Sequence, residues 1–360
     1  MKRIAIAIIL LISSIATYSS ESGKQMAGKF NDYTVSYILP KTVIDIDIEL
    51  KQTQKTAGPY ANYSQKYLGV PAKVSENSNK WEVVSISATV SSVPDKDIYY
   101  GIQLKSAESP YIYIDEEGVL MAVNAEPQFE EVLKEDNVEK VQKSPLEDNT
   151  YSLAFTEEML LSGSNIRMAE LAAKQIYRIR ESRTDIITGE SDQKFDGEAL
   201  KLMLQQLDEQ ENRLSVMFTG TTTTQKKSVR VRWIPQGECE DVVVARISEI
   251  EGLVGADNLS GEPIYISLSN VVRATAPLDA KGNPIVLPEN SIIYNIPGEA
   301  LMSLKYQGKT LDEKRVQLTQ FGIKFGLAPK LFVDKKQPAY LILHPNTGAI
   351  KEVGQNTIVK

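Results

Sequence analysis

The stretch that decides the fold is SNIRMAELAAKQIYRIRESRTDIITGE (164–190), a short polar break, and then GEALKLMLQQLDEQENRLSVMFTG (197–220). At 100° per residue Met168, Leu171, Ala172, Ile176, Ile179 and Ile186 gather on one side of the first segment. Arg167, Glu170, Lys174, Tyr177 and Glu181 fall on the other, the pattern of an amphipathic helix. Ser164 stands where a serine oxygen can accept from an orphan N–H of the first turn. Gly189 suits the left-handed residue that ends helices. In the second segment Leu200, Met203, Leu204, Leu207, Leu214 and Phe218 form the stripe, and Gly220 is the stop. Each segment is about 20 residues, a helix of roughly 30 Å, and so short a break forces the two to lie antiparallel. The pattern predicts a helical hairpin over 156–220.

Three polar residues interrupt the apolar stripes. Gln175 and Glu211 lie at similar distances from the break, so a seam hydrogen bond between them is expected to fix the register of the pair. Arg183 lies nearer the turn with no acid at its level, and is expected either to reach a carboxylate or carbonyl of a neighbouring β-element or to snorkel along the edge of the pair. The segment YRIRESR (177–183) presents Tyr177 and Arg178 outward, with Arg167 nearby. Tyrosine and arginine are the residue types that anchor interfaces, which makes these three the candidate interaction surface, whether for docking onto one of the chain's own β-domains or for a partner.

Working outward, both flanks have the two-residue period of strands. TVIDIDIEL (42–50) puts Ile44, Ile46, Ile48 and Leu50 on one face and Asp45, Asp47 and Glu49 on the other. Three acids in a row invite a metal site, but alternate residues of a strand lie about 6.6–7 Å apart. That spacing favours a solvated face. GPYANYSQKYLG (58–69) predicts a short helix with Tyr60, Tyr63 and Tyr67 on one side, a packing row or alternatively a surface for stacking sugars. Further strands are expected at 81–90, 98–104, 111–114 and 119–123. Residues 126–148 lose periodicity and carry eleven charges in twenty-three positions, which reads as a solvated linker. After the hairpin, the threonine run 221–224 leads into short strands separated by turns such as GADNLSGEP, AKGNP and HPNTG. The expected organisation is α+β: two mainly antiparallel, sandwich-like β-domains (30–125 and 221–360) flanking the central hairpin. YIYIDEEGVL (111–120) and YLILHPNTGAI (340–350) echo each other, as a duplicated β-module would.

Residues 1–20 have the parts of a signal peptide: Lys2 and Arg3, the apolar run 4–12, then small residues. With no cysteine near the cleavage site, a lipoprotein is not expected, and no later segment is apolar enough to span a bilayer. A formal charge of −7 removes the electrostatic case for nucleic acid. Cys239, in GECED, is the only cysteine, so an internal disulfide is impossible and its acidic neighbours work against a reactive thiolate. His344 is the only histidine and lies in a turn, without a G-x-S-x-G elbow to supply a serine. One cysteine and one histidine cannot make a tetrahedral zinc set. No cofactor and no catalytic residue is nominated.

KQIYRIRESRTDIITGE, DGEALKLMLQQL and FTGTTTT, with YILPKTVIDIDIE and GPYANYSQKYLGV before them and YNIPGEALMSLKY and HPNTGAI after, carry a resemblance. The chain is similar to a family of secreted bacterial proteins known as domain of unknown function 4831. The resemblance implies an exported, cell-envelope protein and supplies no reaction or substrate. The expected role is non-enzymatic: periplasmic or surface-associated, binding an envelope protein or a glycan. A glycan-binding accessory protein using Tyr60, Tyr63 and Tyr67 is the second reading. A hydrolase using two carboxylates is the third.

Overall fold

The structure, a computed structural model, describes residues 34–103, 110–127, 150–190, 197–287, 290–334 and 337–355. The leader read at 1–20, nearly all of the charged linker and the break of the hairpin lie outside them. Before the helices come β1 (Thr34–Tyr37), β2 (Pro40–Thr56), the short helix α1 (Ser64–Leu68), β3 (Ser78–Pro94), β4 (Tyr100–Gln103), β5 (Ile112–Ile114) and β6 (Leu120–Val123). The helices α2 (Glu157–Leu161), α3 (Asn165–Thr188) and α4 (Gly197–Thr219) follow. After them run β7 (Thr221–Trp233), β8 (Cys239–Ser248), β9 (Gly252–Val254), β10 (Glu262–Val272), β11 (Ile292–Tyr306), β12 (Lys309–Leu327), β13 (Ala339–Leu343) and β14 (Ile350–Gln355). The fold is α+β, with antiparallel sheets and a helical pair.

Both long helices form where the periodicity places them. Ser164 occupies the extended N-cap position of α3, although its hydroxyl makes no capping bond. Gly189 ends α3 in the left-handed region, and its N–H reaches the Asp185 carbonyl. The stripe is buried only over part of its length. Ala169, Leu171, Ala172, Ala173, Ile176 and Ile179 meet Leu214, Met217 and Phe218 in a closed core. Nearer the turn, the stripe residues Ile186, Leu200, Met203, Leu204 and Leu207 are only half-buried.

The first β-core lies between two sheets. β3-β2-β7 supplies Ile44, Ile46, Ile48 and Leu50 with Ile86 and Ala88. The five-stranded sheet β12-β11-β10-β8-β9 answers with Ile264, Ile266, Leu268, Met302, Leu304 and Leu318. Each such aliphatic side chain, fully buried, contributes on the order of 1.5–3 kcal/mol. A second core gathers Tyr37 and Leu39, Tyr100 and Ile102, Leu120 and Val123, and Leu341 and Leu343. It also takes Ile292, Tyr294 and Phe325 from the other ends of β11 and β12, so these two strands run through both cores. Their pairing slips between Ile296 and Gly298, which lets the ribbon change direction. Where only short strands were expected after the hairpin, β11 is thus one continuous strand of fifteen residues.

The pairing also redraws the expected boundaries. β7, from after the hairpin, lies beside β2 along thirteen residues, from Ile44↔Trp233 to Thr56↔Thr221. The four-stranded sheet has the order β14-β13-β6-β5, so β13 pairs with β6. Strands from the two flanks are interleaved, and the sheets do not divide at the hairpin into 30–125 and 221–360. Buried polar contacts stitch the same join. The Tyr37 hydroxyl donates to the Ile293 carbonyl (3.1 Å) and accepts from the Ile293 N–H (2.6 Å). Asn295 donates to the carbonyls of Pro40 and Thr347. The echoing hairpins β5–β6 and β13–β14 lie side by side in one sheet, in the order β5-β6-β13-β14.

Candidate interaction surface

Two surfaces nominated separately in the sequence meet at one place. After Thr56 the chain turns at Gly58, where a Cβ would lie 2.1 Å from the Met217 carbonyl oxygen. Only glycine allows so close an approach to α4. The Tyr60 N–H then donates to that carbonyl (2.8 Å), and its ring packs on Phe218 with centroids 5.4 Å apart. Tyr60 is only 3% exposed, and burial pushes its phenol pKa up. It cannot stack on a sugar. The spacing of the row turns Tyr63 and Tyr67 part-way outward, half-buried, with centroids 6.2 Å apart. The row is thus one core tyrosine and two flanking ones, not a three-ring platform.

Tyr177 reaches this pair from α3. Its hydroxyl donates to the Tyr67 carbonyl at 3.0 Å, one of the carbonyls that the end of α1 leaves without a helical partner. The ring, 48% exposed, is held at one end and open along its face. The Arg180 guanidinium lies 5.7 Å from its centroid, and Lys66 Nζ lies 5.0 Å from that of Tyr67. Arg178 is exposed and forms no ion pair among the described residues. Tyr63, Tyr67 and Tyr177 thus share a surface with Lys66 and Arg180, and the exposed Arg178 follows Tyr177 along α3, on a chain of net charge −7.

Arg167 stands on the same stripe of α3 as Arg178, roughly 16 Å along the axis. It is engaged by Glu170 (3.1 Å) and Glu158 (3.4 Å). Glu170 also holds Lys174 at 2.8 Å, and the hydrogen bonds from Lys174 and then Arg167 keep its carboxyl below the ordinary range.

The expected seam between Gln175 and Glu211 does not form. Glu211 instead accepts from Arg180 Nε (2.7 Å) and Arg183 Nη2 (2.6 Å), and Arg183 reaches Asp208 at 2.5 Å. Burial alone would raise the Glu211 carboxyl, but the two arginine hydrogen bonds outweigh it and hold the pKa low. Arg183 therefore has two acids at its level, on α4 and not on a β-element. Counting residues from the break assumes that the helices meet without axial offset, and they do not. Gln175 is half-buried one helical stretch away.

The acid row of β2 is paired and only partly solvated. Arg232 grips Asp45 with Nε (2.8 Å) and Nη2 (3.2 Å), and Arg230 grips Asp47 likewise (2.6 and 3.2 Å). Lys226 reaches Glu49 at 3.1 Å. Asp45 is buried, a correction to the solvated face, and Ser91 donates to it at 2.6 Å.

One depression and one lone side chain bear on catalysis. Ser267, Ser303, Lys305 and Cys239 line an open depression of about 500 Å³ on the five-stranded sheet. A lysine base needs a lowered pKa, and the hydrogen bond to Asp241 at 2.9 Å raises that of Lys305. Burial pushes the Cys239 thiol up, and Glu238 adds to it. His344 is exposed at the head of its turn. Among the described residues no group of three His, Cys, Asp or Glu side chains could hold a metal ion, and no helix is long and apolar enough to cross a membrane.

Compared with known proteins, the chain matches over residues 33–351 the family model described as "Domain of unknown function (DUF4831)". No curated protein matches it, and no solved structure does.

Proposed function

We propose, from the premise that this chain belongs to the family of domain of unknown function 4831, that it is an exported, non-enzymatic protein that binds another envelope component. The observation that carries this is the exposed ring of Tyr177, anchored on the Tyr67 carbonyl and flanked by Arg178 and Arg180. An aromatic fixed before binding loses little side-chain freedom on contact, and arginines beside it add directional hydrogen bonds. The leader-like residues 1–20 support export, and the cationic surroundings favour a protein partner with an acidic face.

The electrostatics run against a carboxylate hydrolase. Its acid must be held protonated near neutrality. Among the described residues, the carboxyls held away from their ordinary range, Asp45, Glu170, Glu211, Asp241 and Asp279, are displaced the other way, towards the ionised form.

The test is capture from the envelope of the source cell with the full chain and its Tyr177→Ala/Arg178→Ala variant. The variant is expected to lose the co-purifying protein while unfolding only about 1 kcal/mol more easily, the scale of one hydrogen bond. An unchanged set of captured proteins would overturn the assignment.

A further inference from the structure

Past Leu50 the sheet β3-β2-β7 outruns the core it covers. Alternation keeps Gln52, Gln54 and Thr56 on the same face of β2 as the buried Ile44, Ile46, Ile48 and Leu50. Residues directly opposite in a pair share a face, so Trp81 and Asn79 of β3 and Gln225 and Thr223 of β7 stand with them. The lysines of this end, Lys51 and Lys55 of β2, Lys80 of β3 and Lys226 of β7, alternate to the opposite face. The inner face thus passes from an aliphatic row to a row of side-chain amides, although asparagine is among the residues that strands disfavour.

An open groove of about 710 Å³ lies against this overhang, lined by Gln52, Gln54, Thr56, Asn77 and Asn79 and touched by Lys55 and Ser78, whose positions alternate to the other face. Its amides are held in place. Gln225 donates to Gln52, Gln52 to Asn79 (2.8 Å) and Asn79 to the Ile250 carbonyl (3.0 Å). Asn77 Oδ1 accepts from the Ala57 N–H (2.7 Å), which leaves its side-chain amino group free among the described residues. The Gln54 amide makes no hydrogen bond among them at all. Each amide oxygen of the row keeps a second lone pair, so the groove both donates and accepts. No apolar side chain lines it, and β2 is a central strand bonded on both sides. A peptide would find neither a free edge to pair with nor pockets for its side chains. Fixed, uncharged groups that donate and accept match a neutral ligand whose hydroxyls do the same.

We infer that this overhang binds a neutral oligosaccharide, with Gln54 and Asn77 bonding to its hydroxyls and the Gln52–Asn79 row accepting through its remaining lone pairs. The site is separate from the Tyr177 surface and does not depend on it. Trp81, directly opposite Gln52, is a built-in reporter beside the groove. The other tryptophan, Trp233, pairs with Ile44, roughly 26 Å along the sheet.

The full chain is titrated calorimetrically, at low and at high salt, with maltohexaose, cellohexaose, chitohexaose and a neutral glycine–serine peptide. At least one hexasaccharide is expected to bind, equally at both salt concentrations because no charge is involved, and the peptide is not. In the Trp233→Phe variant, where Trp81 alone emits, binding should shift the fluorescence. Gln54→Ala should weaken the hexasaccharide by roughly threefold to tenfold, as loss of one hydrogen bond does, with the melting temperature unchanged. Lys51→Gln with Lys55→Gln should bind like the parent, as should Tyr177→Ala, which separates this site from the protein-binding surface. The inference is overturned if no hexasaccharide binds, if the peptide binds as tightly, if high salt abolishes binding, or if Gln54→Ala binds undiminished.

Discussion

Asp45 lies in the middle of a sheet face, 2% exposed, with two hydrogen bonds from Arg232 and one from Ser91. The Arg232 hydrogen bond is the main reason its pKa is lowered, with Ser91 helping against the burial that would raise it. A carboxyl whose pKa is lower folded than unfolded contributes stability above the unfolded value and loses it as the pH falls through the folded one. Asp45→Asn should therefore cost about 1–3 kcal/mol near neutrality, allowing for the solvent that reaches Arg232. In urea titrations that gap should stay constant at neutral pH and close below about pH 4; a gap independent of pH would contradict the pairing. The alternation of TVIDIDIEL was enough to point Asp45 away from the isoleucines. It could not reveal Arg232, which is 187 positions away along the chain. The same distance in sequence hid the Tyr177–Tyr67 bond, because nothing local in α1 marks its last carbonyls as waiting for a phenol.

The helical hairpin shows which features of an element are local and which are not. Its two stripes and its stops at Gly189 and Gly220 follow from periodicity and backbone freedom, and both were legible. The level at which α3 meets α4 depends on axial offset, a property of packing, and so the seam partners of Glu211 were not. The two stops also differ in a way only the fold discloses. Both have positive φ, but a Cβ on Gly189 would meet open space, whereas one on Gly220 would lie 2.7 Å from the Thr56 oxygen and from Val74 Cβ. Gly189→Ala should cost about 1 kcal/mol, the backbone term alone. Gly220→Ala adds a collision where α4 passes into β7, and about 2–4 kcal/mol is expected. Equal midpoints in chemical denaturation would show that the junction gives way easily.

For the molecule as a whole, almost every strand was visible as a strand, but not its neighbour. Pairing β2 with β7 and β6 with β13 joins segments from opposite flanks of the helices, and period-two patterning carries no information about which partner a strand will choose. The expected pair of self-contained β-domains gives way to one interleaved set of sheets. Fragments 34–127 and 221–355, made separately, should each lack a cooperative transition in calorimetry, where the intact chain shows one; two independent transitions would restore the two-domain view. The insertion of β13 beside β6 has a further consequence for a newly made chain. As the polypeptide leaves the ribosome, β6 must wait with its inner edge bare until most of the remaining sequence has been translated. During that interval a chaperone, or an aggregate, competes for the place the native strand will take.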